Sequence, residues 1–90
     1  MAYRILIHPA ARDYVNDLPD NLTARIYAAI KDKLGQDPQG PWAEKLKGYD
    51  LWRLRVGDYR VIYRIDEDGE VTVVVVRIGH RRDIYEWLNR

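Results

Sequence analysis

Ninety residues with no cysteine and a formal charge of +1 describe a single compact domain over 1–90, since chains divide into two only at roughly twice this length. The missing thiols exclude disulfide scaffolds, zinc–thiolate sites and cysteine nucleophiles, and so small a charge argues against a protein that coats duplex DNA. No aliphatic run exceeds the four residues Val73–Val76, so neither a membrane span nor a signal peptide is expected and the cytoplasm is the default compartment.

Tyr3–Ile7 alternates as Tyr-Arg-Ile-Leu-Ile and predicts a short strand ending at His8-Pro9. Residues 10–18 predict a short helix, broken at Leu18-Pro19 because proline disfavours helix at the residue before it. Asp20 or Asn21 can cap a second helix, along which Leu22, Ile26, Ala29, Ile30 and Leu34 recur at helical spacing; Gly35 suits its C-cap. Asp37 to Pro41 reads as loop and Trp42 to Tyr49 as an irregular connector. Leu51–Val56 and Tyr59–Ile65 then flank Gly57-Asp58, a pair suited to a tight hairpin turn with glycine first. A turn over 66–69 leads into a Val-rich strand over 70–78, ended by Gly79, and residues 82–89 predict a short C-terminal helix.

This order, β-α-α-β-β-β, predicts an α+β domain: a four-stranded antiparallel sheet, the first strand beside the last, with the helical hairpin on one face. Cross-strand partners share a face. A two-residue turn at Gly57-Asp58 sets Val56 opposite Tyr59, Arg55 opposite Arg60 and Trp52 opposite Tyr63. One face then collects Trp52, Leu54, Val56, Tyr59, Val61, Tyr63 and Ile65, joined by Thr72, Val74, Val76 and Ile78, and is expected to be the core. The other holds Arg53, Arg55, Arg60, Arg64 and Arg77 around Ile62, Val71, Val73 and Val75. Charge at sheet edges can serve simply to prevent aggregation. Arginine in preference to lysine points further, because its planar fork matches phosphate oxygens. His80, Arg81 and Tyr85 come directly after, with Arg81 and Tyr85 one helical turn apart.

These residues carry a resemblance. Tyr3–Ala11, Lys45–Gly48 with Leu51–Tyr63, and Ile78–Tyr85 resemble the opening strand, central hairpin and C-terminal motif of the RelE/ParE superfamily of toxin–antitoxin toxins. The resemblance implies a ribosome-dependent mRNA endonuclease, neutralised by a cognate antitoxin and reaching operator DNA only through it. By motif position it implies catalytic roles for Arg60, Arg81 and Tyr85 and substrate binding by Arg53 and Arg55; strand parity adds Arg64 and Arg77 to the binding set, and closeness to the cationic face adds His80. Two positions that can be lysine in RelE-type toxins are Arg53 and Arg55 here, which removes an amine able to lose a proton. No cofactor or metal is expected: the two histidines are far apart in sequence, and no paired-carboxylate spacing occurs. ParE-type relatives instead poison DNA gyrase, and a corepressor acting only with the antitoxin is a third alternative. The antitoxin segment is expected to cover the arginines and a Val71/Val73/Val75 strip.

Overall fold

The structure, a computed structural model, describes residues 3–67 and 71–89. Its elements are β1 (Arg4–Ile7), α1 (Pro9–Asn16), α2 (Asp20–Ala29), a π-helical continuation (Ile30–Leu34), β2 (Ala43–Lys45), β3 (Trp52–Val56), β4 (Tyr59–Asp66), β5 (Thr72–His80) and α3 (Arg81–Leu88). Asp68 and Gly69 of the predicted 66–69 turn, and Glu70, lie outside the described residues. Pro9 opens α1, where its missing N–H costs nothing, and the His8 Nδ1 caps that helix by accepting from Ala10 N at 3.1 Å. Asp20 stands inside α2 as its acidic first residue, with Pro19 in the cap position, so the predicted side-chain cap does not form.

The sheet has five strands in the order β1-β5-β4-β3-β2, and β1 runs parallel to β5. Both points correct the four-stranded antiparallel expectation. The extra strand is β2, from the stretch read as irregular. It pairs Ala43–Lys45 with Trp52–Leu54, gaining its order from β3 more than from its own Ala-Glu-Lys sequence. The direction of β5 is set by the helices. They return the chain to the end where β1 begins, and the Gly35 carbonyl accepts from Tyr3 N at 3.1 Å. From that end β3, β4 and β5 alternate in direction, which leaves β5 running with β1.

The hairpin has the predicted register, with Arg55 opposite Arg60 and Val56 opposite Tyr59. Gly57 has φ +59 and no other described residue of the turn has positive φ, the sign pattern of a II′ turn, which needs glycine first.

A β-bulge between Ile62 and Tyr63 interrupts the alternation. Ile62 pairs with Arg77, but Tyr63 pairs with Val75, so Val76 is the extra residue on β5. Beyond the bulge every side chain of β5 changes face relative to the predicted parity. Val73 and Val75 are fully buried, with Leu54, Val61 and Tyr63, under the helices. Val74 and Val76, expected in the core, take the opposite face. Val71 lies before the strand and is exposed.

Helix α3 packs on β4 and β5 from that opposite side. Gly79 does not end the strand, which continues through His80; its bare backbone lets α3 approach. A Cβ on Gly79 would stand 3.2 Å from Ile84 Cδ1. Ile84 and Ile62 are fully buried yet lie outside the main core, so the second face has a small core of its own beneath α3.

Candidate functional site: an arginine–tyrosine cluster beside helix α3

Two rows of side chains cross the α3 side of the sheet. One runs Glu44, Arg53, Ile62, Arg77 and the next Arg55, Arg60, Gly79. Tyr85 is exposed on α3, which packs on β4 and β5 beside the second row; the nearby Arg60 guanidinium holds its pKa below the ordinary tyrosine value of 10. Loss of hydration opposes that shift, and the charges of Arg60, Arg53 and Arg55 add to it. Arg60, Arg53, Arg55 and Tyr85 therefore form one electrostatic unit.

The arginines in it are not equivalent. Arg60 is 3% exposed. Its Nη1 donates to the carbonyls of Gly57 and Tyr59, each at 2.9 Å, which ties the guanidinium to the hairpin turn. Arg53 is bridged to Glu44, and its side chain retains 18% exposure against 62% for Glu44. Arg55 is exposed. The Nε atoms of Arg53 and Arg60 are buried without a hydrogen-bond partner among the described residues, a costly state for donors on charged groups.

The other sequence candidates are more dispersed. Arg81 is exposed in the first turn of α3, its backbone N–H donating to Asp58 O at 2.8 Å. It shares a helical face with Tyr85 but is not among the charges acting on that hydroxyl. Arg77 stacks on Trp87, its guanidinium carbon 5.0 Å from the ring centroid, a cation–π contact. Arg64, further down β4, pairs with Asp66 at 3.2 Å. His80 does not join the cluster. It pairs with Tyr59 in the sheet, and its ring meets the Tyr59 ring edge-on at 5.8 Å, on the face turned towards α1 and α2. Its Nδ1 accepts from Arg82 N at 3.3 Å, capping α3.

Glu44 is the residue that sequence reasoning missed. Arg53, hydrogen-bonded to it, holds its carboxyl below the usual carboxylate range, and Arg55 and Arg60 reinforce this. A carboxylate in the arginine row becomes visible only once β2 is recognised as a strand. Among the described residues no group of His, Cys, Asp and Glu is arranged to hold a metal ion, and no helix is long and apolar enough to cross a membrane.

The cluster thus offers fixed positive charge, buried donors lacking partners, and one phenol that ionises more readily than usual. Such a site suits a polyanion whose reaction develops negative charge.

Comparison with known proteins agrees with this architecture. The chain is 34% identical over 88 residues to Toxin RelG of Mycobacterium tuberculosis, covering 94% of this chain and 98% of that one. It is 30% identical over 84 residues to Toxin RelE3 of Methanocaldococcus jannaschii, covering 86% and 92%. Among solved structures, the toxin–antitoxin complex RelBE2 of Mycobacterium tuberculosis contains a chain that superposes with a TM-score of 0.79 at 29% identity, covering 90% of this chain and all of that one. The family described as ParE toxin of type II toxin-antitoxin system, parDE, matches residues 5–85. The chain is a toxin of the RelE/ParE superfamily of type II toxin–antitoxin systems.

Proposed function

We propose that this toxin is a metal-independent endoribonuclease that cuts mRNA on the ribosome and is neutralised by a cognate antitoxin. The observation that carries the reading is the cluster of Arg53, Arg55 and Arg60 on one face of the sheet, with α3 and its exposed Tyr85 packed on the same side. RNA can be cleaved when a ribose 2′-hydroxyl attacks the adjacent phosphate. The bond from O2′ to phosphorus forms as the bond to O5′ breaks, giving a cyclic phosphate and a free 5′-hydroxyl. The step needs a proton acceptor and charge stabilisation. Tyr85 accepts the 2′-hydroxyl proton as phenolate. Arg60 meets the developing charge on phosphorus, assisted by Arg81, while Arg53 and Arg55 hold the flanking backbone. Solvent protonates the departing 5′-oxygen. The ribosome supplies the substrate geometry that a small, open site cannot impose alone.

The neutralising partner is read from the same surface. An antitoxin segment bearing acidic and apolar residues would cover the arginines and an apolar strip of Leu6, Val74 and Val76. This strip replaces Val71, Val73 and Val75, since Val73 and Val75 are buried in the core. Leu6 pairs with Val74 and is 44% exposed.

Mapping of mRNA ends after toxin induction tests the reading. Cuts at defined codon positions support it. DNA breaks without such cuts would replace it with gyrase poisoning, and neither outcome would leave only a corepressor role.

A further inference from the structure

Glu44 and Arg53 differ sharply in how firmly they are held. Glu44 lies on β2, a sheet-edge strand of three residues, with its side chain 62% exposed. Arg53 is on an interior strand, its side chain 18% exposed and its Nε buried without a partner. The acid stands largely in solvent, whereas the arginine is mostly enclosed. A carboxylate also presents to a guanidinium much the same pair of oxygens as a phosphodiester.

We propose that Glu44 is a built-in competitor for the substrate phosphate: its carboxylate holds Arg53 in the free toxin and gives way when single-stranded RNA binds. The proposal rests on reading the arginine cluster as an RNA site. The displacement is cheap on the Glu44 side, where the carboxylate is 62% exposed and passes readily to water, and the incoming phosphate takes its place on Arg53. The displaced site also keeps its backbone, since Arg53 stands on an interior strand and its side chain is only 18% exposed. Glu44 is poorly suited to the alternative role of proton acceptor. A general base works best with its pKa near the operating pH, and the arginines push Glu44 the other way. Its charge also weakens casual capture of anions, leaving the cluster to ligands able to engage several arginines together.

Binding alone is read by titrating a labelled single-stranded DNA oligonucleotide, which lacks the 2′-hydroxyl and cannot be cleaved by this route. Glu44→Gln is nearly isosteric on an exposed strand, and its circular dichroism checks the fold. It should bind about two- to fivefold tighter than the parent, the range set by an exposed ion pair. Arg53→Ala should bind more weakly, and Glu44→Gln in the Arg53→Ala background should give no gain. An unchanged or weaker Glu44→Gln affinity, with Arg53→Ala still impaired, overturns the competitor role and leaves the RNA site standing. An equal gain with and without Arg53 also overturns it, marking only a general charge effect. No binding by the parent, or full binding by Arg53→Ala, would remove the RNA-site reading of Arg53 and the proposal with it.

Discussion

The two faces of the sheet are built from alternate residues of the same strands and do different work. On the helix side Leu54, Val61, Tyr63, Val73 and Val75 are fully buried, and Tyr63 uses its hydroxyl inside the fold, donating to Pro38 O at 2.6 Å. On the α3 side the main-strand positions carry Arg53, Arg55, Arg60 and Arg77, and α3 shields only part of them. One face holds the domain together and the other gathers charge with no full set of internal partners. Neighbouring residues on one strand can therefore be expected to fail in different ways.

Tyr85→Phe tests the charged face at its strongest. It removes the proposed proton acceptor, so cleavage should fall by about 10²–10⁴-fold while the melting temperature stays near the parent's. The pH profile carries the sign. Arg60 lowers the Tyr85 pKa, so the parent's cleavage rate should rise with pH through an inflection below 10 and level off above it, where the phenolate is fully formed. The difference between ultraviolet titrations of the parent and Tyr85→Phe should locate the same ionisation. A flat profile with no such ionisation would replace the proton-acceptor role of Tyr85 with that of a platform on which a base stacks.

Leu54→Ala is the counterpart one residue from Arg53. Truncating a fully buried leucine should cost about 2–5 kcal/mol, read in denaturant melts, with cleavage per folded molecule preserved. A loss of activity out of proportion to the loss of folded protein would show that the two faces are not separable.

Arg60→Ala should break the separation deliberately. Arg60 serves the hairpin turn through two carbonyls and the proposed reaction through Tyr85. Its loss should lower stability by about 1–3 kcal/mol and cleavage by about 10²–10³-fold. In the same variant the Tyr85 ionisation should move up towards its ordinary value. Unchanged stability would mean that solvent replaces the carbonyl contacts without cost.

The smallest effect has the opposite sign. Arg55 stands directly across from Arg60, and like charges in that position oppose pairing. Arg55→Thr should stabilise the domain by some tenths of a kcal/mol up to about 1. Because Nη1 of Arg60 is tied back to the turn carbonyls, the gain should lie towards the lower end. It should shrink in high salt, and the variant should cleave more slowly. Melts at two ionic strengths decide it.

Much of the fold and of the charged cluster is legible in the residues alone, and the exceptions share a cause. The hairpin register can be read because Gly57-Asp58 is specific and the strands around it alternate clearly. From it comes the contrast between Leu54, Val56 and Val61 on one side and Arg53, Arg55 and Arg60 on the other. The last strand offers no such guide: four consecutive valines fit either parity equally well, so nothing in Val73–Val76 signals a bulge. The strand direction requires counting alternations from the end of the helices, and Glu44 is hidden because three residues of Ala-Glu-Lys become a strand only in contact with β3. The charged cluster is visible through its arginines and invisible through its acid. His80 draws attention by its place beside Arg81, but the strand continues through it and turns its ring towards the helices.

The parallel pairing of β1 with β5 also bears on how the protein comes into being. Arg4 finds its partner in Thr72, and Ile7 in Val75, so the first strand waits for nearly all the intervening chain before it can dock. Pairings of such long separation close late and slow the search for the native state. The local hairpin that places Arg53, Arg55 and Arg60 can form early, whereas α3, with Tyr85, settles only against a completed β5. The arginine cluster should therefore be completed by α3 only in the last step of the protein's own folding.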